Sequence, residues 1–126
     1  MRRVTLAWGL LAALLAPASA LAGPSLAVEP AAFDFGEVRK HRTLSKGFRL
    51  VNIGDQALQL LRISTSCGCT VVETGAELVA PGESTRLRVE LQTRDDSGRV
   101  VRTVLVETND PERPRVPIEL RATVVD

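Results

Sequence analysis

The sequence predicts an all-β fold, an antiparallel β-sandwich of seven to eight short strands. Two observations carry this prediction. After residue 22, apolar residues alternate with polar ones at a period of two, and no segment sustains apolar residues at helical spacing. Gly, Pro, Asn and Asp cluster between these runs, where a chain reversal needs them. Short strands separated by turns in this way are typical of an immunoglobulin-like sandwich.

The alternation is clearest near the C-terminus, in the segment RVPIELRATVVD. Because proline has no N–H to donate to a neighbouring strand, Pro117 predicts that the start of this strand lies at a sheet edge. The apolar runs together predict strands at Leu26–Val28, Phe33–Val38, Leu44–Ile53, Leu58–Ser64, Thr70–Glu73, 84–93, 98–108 and 115–126.

Four turn segments separate these strands: NIGD (52–55), APGE (80–83), DDSG (95–98) and NDPERP (109–114). Asp95 and Asp96 lack the repeated oxygen ligands of a calcium loop, so we interpret them as the tip of a hairpin. Asn109 and Asp110 are expected to cap their turn through side-chain hydrogen bonds.

The first 22 residues have the pattern of a cleaved signal peptide. Arg2 and Arg3 precede the apolar run Val4–Leu15, and small residues follow in ASALA. The apolar run is shorter than the roughly 20 residues that span a bilayer. Cleavage is expected after Ala22, which leaves residues 23–126 as one domain with no membrane segment. We therefore expect a periplasmic or secreted protein whose partner is another exported protein.

The composition of residues 23–126 excludes several classes of ligand. Removal of Arg2 and Arg3 leaves 14 of the 16 basic residues against 15 acidic ones, so the domain is almost neutral. This balance does not favour nucleic acid or an anionic membrane. Without Trp8 the remaining aromatic residues are Phe33, Phe35 and Phe48, which is too few to form a stacking surface for sugars or bases.

Four segments, taken in order, resemble one exported bacterial family: FDFGEV, FRLVNIGDQALQLLRISTSCGCTVV, APGESTRLRVEL and VLVETNDPERPRVPIELRATV. They resemble domain-of-unknown-function family 1573, which is related to the immunoglobulin-like domains of Hydin and other ciliary proteins. The resemblance covers almost the whole chain after residue 22, and SCGCT followed by PGE and TNDP is its most specific part. It implies an immunoglobulin-like β-sandwich and export, and it supplies no biochemical role.

The two cysteines of the chain, Cys67 and Cys69, flank Gly68. On an extended strand their Cα atoms would lie about 6.6 Å apart. A disulfide prefers roughly 4.4–6.8 Å, so an extended pair is at the limit, whereas a turn at Gly68 would bring the sulfur atoms closer. A loop this short restricts the unfolded chain very little and adds little stability.

One hypothesis for this pair is a soft-metal site. Thiolates select Cu(I) and Zn(II) over harder ions, and a two-thiolate site suits Cu(I) better because Zn(II) prefers four ligands. Cys67 and Cys69 are therefore candidate ligands for one Cu(I), with His41, in the turn RKHRT, as a possible third ligand.

Three other interpretations of the cysteine pair stay open. The pair could exchange thiols and a disulfide, although redox dithiols usually lie at a helix N-terminus and no helix is predicted here. It could close a ring that fixes a turn, or it could contribute to a contact or an intermolecular disulfide with a partner protein. No nucleophile has an evident base and orienting acid, so a non-catalytic binding module is expected rather than an enzyme, and no catalytic residue is predicted.

Overall fold

The structure is a computed structural model that describes residues 23–68 and 70–126. The predicted signal peptide, residues 1–22, lies outside the described residues. The described part of the chain is all-β and forms two sheets that pack face to face. No helix in this part is long and apolar enough to cross a membrane.

Nine strands occur in the described residues: β1 (Leu26–Glu29), β2 (Ala32–Arg39), β3 (Thr43–Asn52), β4 (Leu58–Thr65), β5 (Thr70–Thr74), β6 (Leu78–Val79), β7 (Ser84–Gln92), β8 (Gly98–Thr108) and β9 (Arg115–Val125). One sheet has the order β1-β3-β7-β5 and the other has the order β2-β9-β8-β4-β6. The immunoglobulin-like sandwich predicted from the sequence is confirmed.

The core lies between the two sheets and is built from the alternating apolar residues. Every second residue of β7, β8 and β9 is buried along most of each strand. Phe48, Leu50, Leu87, Ile118 and Leu120 are among its largest fully buried side chains. Burial of such a side chain contributes roughly 1.5–3 kcal/mol, so the core can stabilise the domain without a crosslink.

Three details differ from the sequence predictions. A strand of two residues, β6, raises the count to nine, because so short a pairing leaves no alternation to detect. β2 runs parallel to β9, whereas all other neighbours are antiparallel. The prediction of a hairpin tip at Asp95 and Asp96 was wrong, because β7 and β8 belong to different sheets and their connection crosses the sandwich.

Pro117 lies where the sequence predicted a sheet edge. β9 is a central strand, but its pairing with β2 begins only at Glu119. Within the described residues, the first part of β9 is therefore paired on one side alone, with β8, where Pro117 lies opposite Leu105. The sheet edge is local to the start of the strand.

Asn52 holds together one end of the sandwich, where it is fully buried. Its side-chain oxygen accepts hydrogen bonds from the N–H groups of Ser25 and Gly54, at 3.3 and 2.9 Å. Its amide nitrogen donates to the carbonyls of Gln56 and Val79, at 2.7 and 2.9 Å. The NIGD turn is thus joined to the N-terminal segment and to β6.

Asp110 closes the same end from the β8–β9 turn and is also buried. Its carboxylate accepts hydrogen bonds from the N–H groups of Glu112 and Arg113 within the turn, and from Leu26 of β1. The expected turn cap is therefore confirmed for Asp110. Asn109 instead joins the turn to the start of β4, where its side chain accepts from Gln59 N–H and donates to the carbonyl of Ala57.

Candidate functional site

The segment around Cys67 connects β4 to β5 and so passes from the five-stranded sheet to the four-stranded one. The N–H of Thr70 donates to the carbonyl of Cys67 at 3.2 Å, the bond of a four-residue turn. The backbone is therefore a turn at Gly68, which is the tighter of the two geometries considered from the sequence.

The hydroxyl groups before Cys67 hold this turn in place. Thr65 Oγ1 donates to the carbonyl of Cys67 at 3.0 Å. Ser66 makes a reciprocal pair with Thr103 of β8: the Ser66 N–H donates to the Thr103 carbonyl at 2.9 Å, and the Thr103 N–H donates to Ser66 Oγ at 3.0 Å. The polar residues of STSCGCT thus hold the turn internally and anchor the loop to β8.

The Cys67 side chain is half-buried and packs against the apolar cluster of Leu91 and Ala122. Cys67 is not a free thiol in the part of the chain that the structure describes. Cys69 lies outside the described residues. The Cu(I) site at Cys67 and Cys69 therefore stays a prediction.

His41 lies in the β2–β3 turn, with its side chain 70% exposed. It adopts a positive φ of 56°, and its N–H donates to the carbonyl of Arg94 at 2.9 Å. Its Nε2 lies 3.1 Å from Asp95 Oδ1. Among residues 23–68 and 70–126, no three His, Cys, Asp or Glu side chains form a group that could hold a metal ion. A role for His41 as a third ligand beside Cys67 and Cys69 stays a prediction, and in the structure its Nε2 lies beside Asp95.

β5 begins directly after the cysteine loop and forms an edge of the four-stranded sheet. All five of its residues pair with β7 in an antiparallel register with no bulge, from Thr70 opposite Leu91 to Thr74 opposite Leu87. On its other side, no strand of the described chain pairs with it. Because Gly75 N–H donates to the Arg86 carbonyl, the alternation of the ladder directs the backbone groups of Val72 and Thr74 to this unpaired side.

Sequence reasoning missed two features near this edge. It placed β5 but could not show that one side of the strand is free, because that depends on which strands pair. It also overlooked Gly47, which lies in the middle of the ten-residue strand β3. An isolated glycine inside a strand pattern often marks the close approach of a ligand or another backbone, and SKGFRL carries that signal.

Comparison with solved structures identifies several similar folds. A protein of unknown function from Porphyromonas gingivalis W83 superposes with a TM-score of 0.73 and 19% identity, over 80% of this chain and 47% of that one. The ASH/PapD-like domain 7 of human CEP192 gives a TM-score of 0.64 and 10% identity, over 99% of both chains. The YadV chaperone gives 0.54 and 15%, over 80% of this chain and 52% of that one.

These likenesses show the fold alone, because all three identities are low. The chain spans about half the length of the Porphyromonas protein. No curated protein matches the chain at a significant level. A family model does match, over residues 26–124, which is nearly all of the sandwich. The chain belongs to the family described as protein of unknown function DUF1573.

Proposed function

We propose that the chain is a non-catalytic interaction module that adds an extended segment of a partner protein to the free edge of β5. The observation that carries this proposal is the unbroken five-residue register of β5 with β7, with no strand of the described chain on its other side. Strand addition to such an edge uses backbone hydrogen bonds for affinity and alternate side chains for specificity.

The other sheet edges are less suited to strand addition. β6 has two residues, and the part of β4 beyond it has an irregular register between Leu60 and Arg62. β2 has a register shift between Asp34 and Glu37. β1 has four residues and is followed by Pro30, which has no N–H to donate. Short edges, bulges and prolines are devices that prevent strand pairing, and the five residues of β5 contain no bulge and no proline.

The cysteine loop supports this function because it fixes the start of β5. The turn from Cys67 to Thr70 is held by Thr65 and Ser66, so the edge strand is ordered before a partner arrives. Ordering in advance reduces the entropy lost on binding. We infer that Cys67 and Cys69 form an oxidised pair that stiffens this turn, since Cys67 is not a free thiol and Cys69 is the other cysteine of the chain.

We also propose that the domain is exported and acts in the periplasm or as a secreted protein. The signal-peptide pattern of residues 1–22 supports this proposal, and so does the contact of the Gly23 nitrogen. This backbone nitrogen donates to Asp55 Oδ1 at 2.6 Å. Cleavage after Ala22 would convert that nitrogen into an ammonium group, which the carboxylate would pair. Intact mass of the exported protein should place its first residue at or within two residues of Gly23, and retention of residues 1–22 would contradict export with cleavage.

The strand-addition proposal is tested with a pair of edge variants. Gly75 N–H donates to the Arg86 carbonyl at 3.0 Å, so the alternation of an antiparallel ladder directs the N–H of Thr74 to the free side. Thr74→Pro removes a free-edge donor and leaves the pairing with β7 intact. Thr74→Ala is the matched control, because it keeps the N–H.

The binding probe is a set of peptides selected by phage display against the domain. We expect selected peptides to protect the amide protons of Val72 and Thr74 from exchange in NMR. We expect Thr74→Pro to weaken binding at least tenfold and Thr74→Ala to change it less than twofold. Protection that maps to another strand, or equal binding by both variants, would overturn the proposal.

A further inference from the structure

A cleft of about 610 Å³ opens on the outer face of the four-stranded sheet and extends to the end of β5. It is lined by residues of β1, β3 and β7 and by the residue that follows β5: Glu29, Gly47, Phe48, Arg49, Gly75, Ser84, Thr85 and Arg86. A Cβ atom at Gly47 would have no other atom within 4 Å, so the cleft lies open above this backbone. Glycine inside a strand lowers stability, by roughly 0.5–1 kcal/mol relative to alanine, and here it leaves room for another chain.

Arg49 and Arg86 lie directly opposite each other in the β3–β7 register. Like charges in this position are destabilising, and a nearby anion offsets that repulsion. Arg49 has one, because its guanidinium lies 3.5 Å from Glu29 and also donates to Ser84 Oγ at 3.2 Å. Within this pair, Arg49 therefore has its own counter-charge.

Arg86 is exposed and has no carboxylate within 4.0 Å among the described residues. Its neighbour on the same face, Arg88, lies 2.7 Å from Glu90 and 3.9 Å from Glu73. The two arginines occupy the same strand and the same face. The lack of a carboxylate partner is therefore specific to Arg86 in the cleft. Arg86 is the cation of this face that has room for an incoming anion.

Gly75, the residue that follows β5, lies beside Arg86 and donates its N–H to the Arg86 carbonyl at 3.0 Å. A Cβ atom there would lie 2.9 Å from Thr85 Oγ1, so the chain passes close to β7 at this residue. A strand added to β5 would lie two strand spacings from β7, roughly 9.6 Å. An extended arginine and an acidic side chain can together cover that distance.

We propose that Arg86, assisted by Arg49, binds the carboxylate of an Asp or Glu in the partner segment that adds to β5. This inference rests on the proposed function and names the chemistry of its partner: an extended acidic peptide. The bidentate geometry of guanidinium and carboxylate gives such a contact both strength and orientation. A polyanion fits less well, because Glu29, Glu73 and Glu90 lie on the same face and would repel a continuous row of negative charges.

The test uses two display libraries of extended peptides, one encoding Asp and Glu and one without them. We expect enriched peptides to carry an acidic residue at a fixed position. Arg86→Gln should weaken their binding at least tenfold, whereas the matched control Arg88→Gln should change it less than twofold. Arg86→Glu should abolish binding and should recover it with a peptide whose acidic residue is replaced by Lys.

The outcomes separate this inference from the function on which it rests. Binding that is lost in Thr74→Pro but unchanged in Arg86→Gln overturns the acidic anchor and leaves strand addition standing. Binding lost in Arg86→Gln but unchanged in Thr74→Pro overturns strand addition and keeps the cleft as a carboxylate site. Failure of both libraries to yield a binder, or tight binding of heparin in place of peptides, overturns both.

Discussion

The two ends of the sandwich are built differently. At one end, Asn52 and Asp110 are buried polar side chains. Together they form seven hydrogen bonds with backbone groups of the surrounding turns and strands. At the other end, the turn after Cys67 is held by the hydroxyls of Thr65 and Ser66, and Ser66 is exposed. Buried polar groups are costly to leave unpaired, whereas exposed ones can bond to water.

This difference teaches that the sequence segments at the two ends have different roles. NIGD and TNDP stabilise the fold, because their side chains replace water for backbone groups inside the protein. The turn in SCGCT orders an edge strand but contributes little to the stability of the fold. That end is therefore free to take part in binding. Mutations at the two ends should therefore separate stability from interaction.

The largest effect is expected for Asn52→Ala. The change leaves the N–H groups of Ser25 and Gly54 and the carbonyls of Gln56 and Val79 without their partner, so we expect a loss of about 3 kcal/mol in the free energy of unfolding. Urea denaturation followed by circular dichroism measures it. The matched change at the other end is Ser66→Ala, with an expected loss of about 1 kcal/mol. Equal losses in the free energy of unfolding for the two variants would contradict the proposed difference between the two ends.

A smaller effect is expected for Asp110→Ala, about 2 kcal/mol, because the N–H groups of Glu112, Arg113 and Leu26 lose their acceptor. Asp110→Asn keeps Oδ1, which accepts the two bonds within the turn, so it should lose less than half as much. Thermal and urea unfolding of both variants checks this order. Equal destabilisation by Asn and Ala would show that the contact with Leu26 is the dominant one.

The double change Cys67→Ser and Cys69→Ser should lower the free energy of unfolding by less than about 1 kcal/mol, since so short a loop restricts the unfolded chain little. The β-type circular dichroism spectrum should persist. The loss that we do expect comes from the contact of Cys67 with Leu91 and Ala122. Loss of cooperative unfolding would show that the pair is required for the fold.

Wild-type protein and the single cysteine variants test the Cu(I) prediction. A one-to-one end point in a titration of reduced protein against a competing chelator, abolished by either single Cys→Ser change, would confirm it. His41→Ala is expected to weaken such binding only slightly. A pair that is isolated oxidised from the periplasm and binds no Cu(I) after reduction would instead favour the turn-stiffening role.

The smallest effect concerns an exposed pair that lies away from both ends. Arg121 Nε and Nη2 donate to the two carboxylate oxygens of Glu119, at 3.0 and 2.8 Å. This hydrogen bonding lowers the pKa of Glu119 below its ordinary value. Because the folded-state pKa is the lower one, the contribution to stability is present above the ordinary pKa and is lost as the pH falls through the folded-state value.

Arg121→Gln should return the titration midpoint of Glu119 towards its ordinary value, which NMR of its carboxyl carbon measures. The matched control is Arg99→Gln, whose charge acts on Glu119 more weakly. An unchanged midpoint in Arg121→Gln would contradict the role of this hydrogen bond. The pair is well exposed to solvent, so its removal should leave the unfolding transition at neutral pH almost unchanged.

The sequence by itself determined the strands and the faces that they bury. The alternation that marks Leu87, Val89 and Leu91, or Val116 and Ile118, is local, because successive side chains of a strand point to opposite sides wherever that strand lies. The same locality explains why the cap at Asp110 and a turn at Gly68 could be read from short segments. Local sequence could not show whether Asp95 and Asp96 form a hairpin. A turn has the same sequence pattern whether it joins two strands of one sheet or strands of two sheets.

The tertiary structure alone decided which strands pair and which edges stay open. Arg86 and Arg49 are 37 positions apart in the chain, and nothing in either segment shows that they lie opposite each other across β3 and β7. The free side of β5, the parallel pairing of β2 with β9 and the cleft above Gly47 are likewise non-local. They depend on register between distant segments, which is set by the packing of the whole core rather than by the properties of any one strand.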